Sequence, residues 1–567
     1  MNKMAAAFAV LTIVSAVNAA DLWAAGAEAN RPRLPALTIS RETTFILQPL
    51  RADGTPDYVA WLDKEYGAGV TPENNAAIPL TRALHIELGD DIRRVMGAGP
   101  ASASSVVWVR GAPSWNDFEA HLKSKVDAKT GLVPGVGALP DAFAAACTKQ
   151  WVRAQRAPWT ESEAPLIAAW LRANEAALSE IEVAAGRSRF WIPLPRQLSM
   201  RTPIPSMLSY RQAVQALRVR ALLALARGDV KSAQRDLVTG LRLAGLVSQD
   251  ALLISRLVAV AMRGDCTAVL PLLAQNAGRT SASSRDLLAN LRRLPGVGSP
   301  ADAYDVERVM GLQGLVQFYR AAQESPDAWR QAWSEVAKEM KQMREGLGAA
   351  PLDTSAFERI PPTAIDWDEV LRTHNRWWDD PDAGAESAAR EDLKEPALGL
   401  LIAAAREDGA VRRRLGRAYL ALVRRLGSVT DDDGASSDWR PRASISWNEN
   451  EALSRMGLVA AAAAAWRADH GRHPRAASDI ASGDSSPGFD PEADHAGYTF
   501  RYHANADGSR FAVSAMPQTP SETGFRGFCT DSSGRLAETA EGHAAAVTDA
   551  ACSPQAKTVV GPTAEAP

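Results

Sequence analysis

The chain has 567 residues, 46% hydrophobic and 23% charged, a globular balance that excludes disorder throughout. Its 63 Lys and Arg against 66 Asp and Glu give a formal charge of -3, which excludes a global field drawing it to nucleic acid. Four cysteines with no Cys-x-x-Cys spacing exclude a disulfide-dense scaffold and a structural zinc ribbon.

Residues 1–19 read as an export signal. Met1-Asn2-Lys3 is the basic start, Met4 to Val17 the apolar run, and Ala19 the small residue before the cut. Such a run reaches about 21 Å, short of a hydrocarbon core of about 30 Å. Cleavage is therefore expected after Ala19 or Ala20. No later run is expected to cross a membrane, so the mature chain reads as periplasmic or secreted. Residues 20–42 lack periodicity and read as a flexible lead-in.

Residues 43–429 read as one large, irregular helical domain. Thr71-Pro72-Glu73 has the form of a helix start, with a capping hydroxyl, proline in the first turn and an acid at the positive pole. Leu166, Trp170, Leu171, Ala177 and Leu178 share one helical face. Four prolines in 189–205 predict an extended connection. Two helices then flank Gly228-Asp229, where glycine ends the first and aspartate caps the second. The stretch Ala221 to Ala244 resembles a tetratricopeptide-type hairpin. One such hairpin within a larger domain is expected, since a solenoid needs about three units. Further helices are expected within 301–346, 386–406 and 410–427, with a proline-rich connector at 348–366.

Asp431, Asp432, Asp433 and Asp438 lie in a polar run that predicts a linker over 430–446. The run lacks the spacing of a calcium loop and reads as solvated. Beyond it, 447–540 predicts an Ala-rich helix ending at His470-Gly471, then alternating strands from Tyr498, Phe511 and Gly527, with a turn at Asp531-Ser532-Ser533-Gly534. Residues 541–567 read as a flexible tail. The fold class is thus mainly α, with a small α+β domain at the C-terminus.

The C-terminal segment resembles the globular half of type IV pilin-like proteins, especially the major pseudopilins of type II secretion. The resemblance is carried by "ADHGRHP", "GYTFRYHANADG" and "SRFAVSAMPQTPSETGFRGFCTDSSGRLAE". A pilin opens with a fully apolar helix of about twenty residues. Here Asn448, Glu449, Asn450, Glu451 and Arg455 interrupt it, so a pilin-like module is expected rather than a pilin. The whole chain also resembles secreted bacterial proteins that carry motifs like "PWTESEAPLIAAWLRAN" and "RALLALARGD" ahead of such a module. Cys147, Cys266, Cys529 and Cys552 can pair in three ways. The resemblance implies a Cys529–Cys552 bridge, because pilin-like domains often close their last segment this way. A Cys147–Cys266 bridge and two buried thiols are both open.

No catalytic, metal or cofactor motif stands out. There is no Gly-x-Ser-x-Gly elbow, no His-Glu-x-x-His and no phosphate loop. His470 and His473 flank a helix end and read as a surface turn. His374, Trp377, Trp378, Asp379 and Asp380 pair acids with aromatics as a glycan cleft does, yet core packing is the better reading of their helical spacing. Arg412, Arg413, Arg417 and Arg424 flank an apolar stripe. They form a solvated basic face or a surface for an anionic partner. The function expected is a non-enzymatic, protein-binding role in the cell envelope, linked to secretion or pilus-like assemblies through the resemblance. A glycan-directed envelope hydrolase with a site in the helical domain is the alternative. No cofactor and no nucleic acid are expected.

Overall fold

The computed structural model describes residues 34–98, 115–194, 207–278, 280–346, 360–379, 401–402, 404–405, 408–427, 439–482, 489–539, 547–553 and 555–561. The signal, the acidic run up to Asp438 and Asp380 lie outside the described residues. The chain is mainly helical, and its ladders of paired strands begin at Tyr498.

Buried apolar side chains gather into two large cores that the chain enters alternately. Leu34, Tyr58 and Leu62 lie in one, together with Val306 to Leu420. Residues from Ala76 to Val297 build the other, and the chain returns to it from Ala452 to Val560. The lead-in therefore packs from Leu34 onward instead of hanging free. The cores also cut across the division expected at 430–446.

Helix α1 (Tyr58–Tyr66) belongs to the second core, and the first segments of the larger one are α2 (Ala77–Ala83), α3 (Asp90–Met96), α4 (Asn116–Lys123) and α5 (Phe143–Ala154). Thr71 opens a turn instead of a helix, because Asn74 answers its backbone N–H through Oδ1 at 2.8 Å and α2 starts only at Ala77. The stripe from Leu166 is buried along α6 (Pro165–Ala173) and α7 (Glu175–Ala185). These two are broken at Asn174, whose side chain donates to the Trp170 carbonyl at 2.8 Å.

The hairpin forms as expected between α8 (Met207–Ala226) and α9 (Val230–Val247). Gly228 has φ +76°, a conformation that disfavours a side chain, and the Asp229 carboxylate accepts the Ser232 N–H at 3.0 Å. Next come α10 (Leu253–Thr267), α11 (Leu270–Ala277) and α12 (Ser281–Arg292). A Cβ on Gly240 would sit 2.5 Å from the Cys266 sulfur and 3.3 Å from Val214. Only glycine lets α8, α9 and α10 meet that closely.

Leu253–Ala277 is long and apolar enough to cross a membrane by length and composition, contrary to the expectation that no such run exists, and 78% of its apolar window is buried inside the fold. A core helix carries the same composition as a spanning one. The second core is closed by α13 (Tyr304–Glu324), α14 (Pro326–Gly346), α15 (Trp367–Asp379) and α16 (Gly409–Gly427). Phe318, Trp333, Trp329, Trp367 and Tyr419 pack through it by stacked and edge-to-face contacts, with ring centroids 4.2 to 6.1 Å apart. Large aromatics of this kind supply much of a core's buried area.

Helix α17 (Trp439–His470) starts eight residues before the expected Trp447, inside the stretch read as linker. It runs roughly 48 Å at 1.5 Å per residue. Ala460 to Ala465 are buried on every side, because one face meets α10, α11 and α12 and the other meets the sheet. Small side chains bring the axes close: a Cβ on Gly457 would lie 2.7 Å from Leu270 Cδ1. Gly471, at φ +73°, ends the helix as expected, and a short α18 (Ala477–Ser482) follows.

The sheet is antiparallel, in the order β1 (Tyr498–Ala504), β2 (Phe511–Pro517), β3 (Gly527–Asp531), β4 (Leu536–Thr539) and β7 (Lys557–Val560). A small hairpin of β5 (Val547–Thr548) and β6 (Ala551–Cys552) precedes the last strand. The segment read as a flexible tail therefore holds an edge strand. It was missed because the pattern around Lys557 is short and polar at its start. Arg535 fixes it, donating to the Cys552 and Ala556 carbonyls at 3.0 and 2.8 Å.

Cys529 and Cys552 are bridged, whereas Cys147 and Cys266 are free and buried in different helices. The Cys147–Cys266 bridge does not form. Burial pushes the Cys147 thiol up to about 12, so both cysteines act as small apolar residues. Reducing the bridge, or replacing both of its cysteines with Ser, should lower stability by about 3 kcal/mol for a loop of this length. Urea unfolding with and without dithiothreitol measures it.

Candidate functional site

Of the residues nominated for a glycan cleft, His374, Trp378 and Asp379 make contacts within the fold. His374 is buried, with Nε2 3.1 Å from both the Arg308 carbonyl and Trp378 Nε1. Gly311 leaves room for the imidazole, since a Cβ there would lie 2.4 Å from His374 Cε1. Asp379 pairs with Arg308, and Trp378 is buried against Tyr304. Two turns of α15 and one of α13 are thus locked together, as the packing interpretation expected. His470 is exposed and stacks on Trp466 at 3.8 Å. His473, expected at the surface, is instead buried against Phe511. Burial, and then Arg467 beside it, hold its imidazole down at about 4, so it is neutral at physiological pH.

The motif "PWTESEAPLIAAWLRAN" is a clasp. Trp159 is fully buried and donates to the Val219 carbonyl at 3.0 Å. Glu163 receives both the Thr160 N–H, at 2.7 Å, and the Thr160 hydroxyl, at 3.1 Å, closing a turn ahead of α6. Glu161 pairs with Arg172 and with Arg227 at the end of α8. Within "RALLALARGD", Arg220 donates to both oxygens of buried Asp236, at 2.9 and 2.6 Å, and reaches Glu182 of α7. These side chains bind the hairpin to the helices before it.

The polar residues that interrupt the front of α17 have the same character. Asn448 donates to the Thr523 carbonyl at 2.9 Å. Glu449 accepts the Phe525 and Arg526 N–H groups, each at 3.0 Å, and both the Arg526 Nε and Nη2 donors. Glu451 faces Arg263 of α10 and His495. One stretch of helix is stitched to the sheet on one side and to α10 on the other.

Of the basic face, Arg417 is held and Arg413 is exposed. Arg412 is half-buried, with its backbone carbonyl accepting the Asp366 N–H at 3.3 Å. Of Arg424 the structure describes only the helix position. The centre of this surface is Glu369 on α15, which the sequence reading missed. Its Oε1 accepts Arg376 Nη2 at 2.9 Å and Arg417 Nη1 at 3.1 Å, and Arg372 Nε lies 3.5 Å from Oε2. Burial pushes the Glu369 carboxyl up, and the Arg417 and Arg376 hydrogen bonds outweigh it, leaving it below its ordinary value. A signal for this group existed: Glu369, Arg372 and Arg376 fall at i, i+3 and i+7, one helical stripe.

Two more carboxyls lie where α10 meets the second core. Glu307 of α13 accepts the Leu253 N–H at 2.9 Å, at the start of α10. Asp250 accepts the Ser255 hydroxyl. Burial is the leading cause for both, pushing Asp250 up to about 6 and Glu307 up to about 7. The folded chain therefore holds protons that the unfolded chain releases. This contribution is complete below about pH 4 and fades as pH rises through 6 and 7. Glu307→Gln should flatten the fall in unfolding free energy between pH 5 and 8, read from urea midpoints across that range. An unchanged slope would assign it to other groups.

Among the described residues no three His, Cys, Asp or Glu side chains gather as a metal site. No family model, no curated protein and no solved structure matches the chain. The pilin-like resemblance of 447–540 accordingly rests on its sequence features.

Proposed function

We propose that this is a non-enzymatic, protein-binding component of the bacterial cell envelope, in which a helical scaffold carries a pilin-like α+β unit. The observation that carries this reading is helix α17. It serves as a core element of the sheet and of the α10–α12 bundle together, so the sheet is displayed in a fixed position. The apolar front that anchors a pilin is replaced here by Asn448, Glu449 and Glu451, all engaged within the fold. That supports display on a scaffold over assembly into a fibre. The link to secretion or pilus-like assemblies is supported by the order of long helix, antiparallel meander and cysteine-closed end.

The test has two parts. The protein should fractionate with soluble periplasmic or secreted material, its mature start near Ala20. In vivo crosslinking from the sheet face, at Met516 for example, should then capture envelope proteins. Full-length protein in the integral membrane fraction would contradict the export reading. Cleavage of envelope glycans that is lost in a folded His374→Ala variant would contradict the non-enzymatic one.

A further inference from the structure

We propose that Arg372, Arg376 and Arg417, gathered around Glu369, form a docking surface for an acidic polypeptide segment. The inference rests on the protein-binding reading above and names one partner chemistry for it. Three guanidinium groups share one carboxylate, and that carboxylate is only 9% exposed while the arginine side chains are 33%, 59% and 42% exposed. The group keeps a formal surplus of two positive charges at the surface.

Each guanidinium has five N–H donors in a rigid fork. The contacts to Glu369 engage Nε of Arg372, Nη2 of Arg376 and Nη1 of Arg417, and Arg376 Nη2 also reaches the Thr373 hydroxyl. Further donors on all three remain for carboxylates brought by a partner. The forks are held in advance, so less side-chain freedom is lost on binding. Their supports are rigid as well. Helices α15 and α16 pack so closely that a Cβ on Gly416 would lie 2.9 Å from the Asp366 carbonyl. Asp366, which caps the Glu369 N–H, and Asp368, which accepts the Thr38 N–H, keep their negative charge at the start of α15, while Arg413 adds a positive charge one turn before Arg417.

A lipid surface fits less well. Membrane-binding helices set apolar side chains beside the basic ones. The exposed large apolar residues among those described, such as Leu47, Val95, Val183 and Phe525, lie off α15 and α16. Spaced forks suit successive carboxylates along a chain.

A fluorescein-labelled octapeptide of alternating Asp and Glu, titrated into the mature chain at low salt, tests this by anisotropy. Binding is expected, weakening as salt rises. Arg376→Glu with Arg417→Glu should weaken it at least about tenfold. Arg285→Glu with Arg330→Glu, an equal charge change on α12 and α14, should leave it within about twofold, the level at which rim charges act. If the reversal unfolds the chain, Arg376→Gln alone serves, because Arg417 still holds Glu369; its affinity should fall severalfold. Absence of peptide binding, equal losses in the two double variants, or retention on phosphatidylglycerol vesicles in preference to the peptide would each overturn the proposal. None of these outcomes depends on export or on the sheet, so a failure here is distinct from a failure of the broader reading.

Discussion

Replacing Glu449 with Ala should lower the unfolding free energy by about 3 kcal/mol, the lower end of the range for breaking a buried ion pair. The side chain is 7% exposed, and its loss leaves the Phe525 and Arg526 N–H groups and two arginine donors without their acceptor. Arg526 is 41% exposed and keeps Glu538 at 2.8 Å, which keeps the loss from being larger. Glu449→Gln should recover part of it, since an amide oxygen still accepts the two backbone donors. Urea unfolding followed by tryptophan fluorescence gives the ranking, wild type above Gln above Ala. Equal stability for all three would show that the contact between α17 and the β3 approach contributes nothing.

Asp236→Ala should be at least as damaging, at about 3 to 4 kcal/mol. Asp236 is 1% exposed and meets Arg220 through two parallel hydrogen bonds. Its removal leaves a half-buried guanidinium with Glu182 alone. The methyl group also leaves a void between α8 and α9, which adds to the loss. Asp236→Asn, which keeps the shape and one acceptor, should fall between. The same variants should change nothing in acidic-peptide binding, because the Glu369 surface lies in the other core.

Local signals were legible at several glycines and turns, though not at Thr71, where a turn stands in place of the expected helix start. Gly228-Asp229, Gly471 and the Asp531 to Gly534 turn stand as the sequence places them, because φ above zero and an N-cap acceptor are strong constraints. The strands from Tyr498, Phe511 and Gly527 follow their alternation. What was not legible is how the cores are shared. Ala460 to Ala465 has no polar face, and periodicity cannot say that such a helix has partners on both sides. Placing a boundary before Trp447 followed composition, whereas α17 begins at Trp439 and Trp447 itself donates to the Val297 carbonyl at 3.2 Å. Strand β7 was hidden because its run is short and polar at its start, and its partner β4 ends at Thr539, well before Lys557 in the chain.

The arginine surface was half visible for a related reason. Arg412, Arg413 and Arg417 stand out as a basic run, but the carboxylate that organises them comes from α15, distant in sequence. Helical spacing gives a side chain's neighbours on its own helix and not across a packed pair.

Native-state hydrogen exchange of the strand amides in the Asp236→Ala variant addresses the shared core most directly. Asp236 lies in the helical hairpin and makes no contact with the sheet among its hydrogen bonds. If α17 joins both into one cooperative core, amides of Val513 and Ala515 should exchange on the order of a hundredfold faster than in the wild type, tracking the loss in global stability. Exchange in β2 that stays at the wild-type rate, while that of α9 accelerates, would show that the sheet unit folds independently of the helical scaffold.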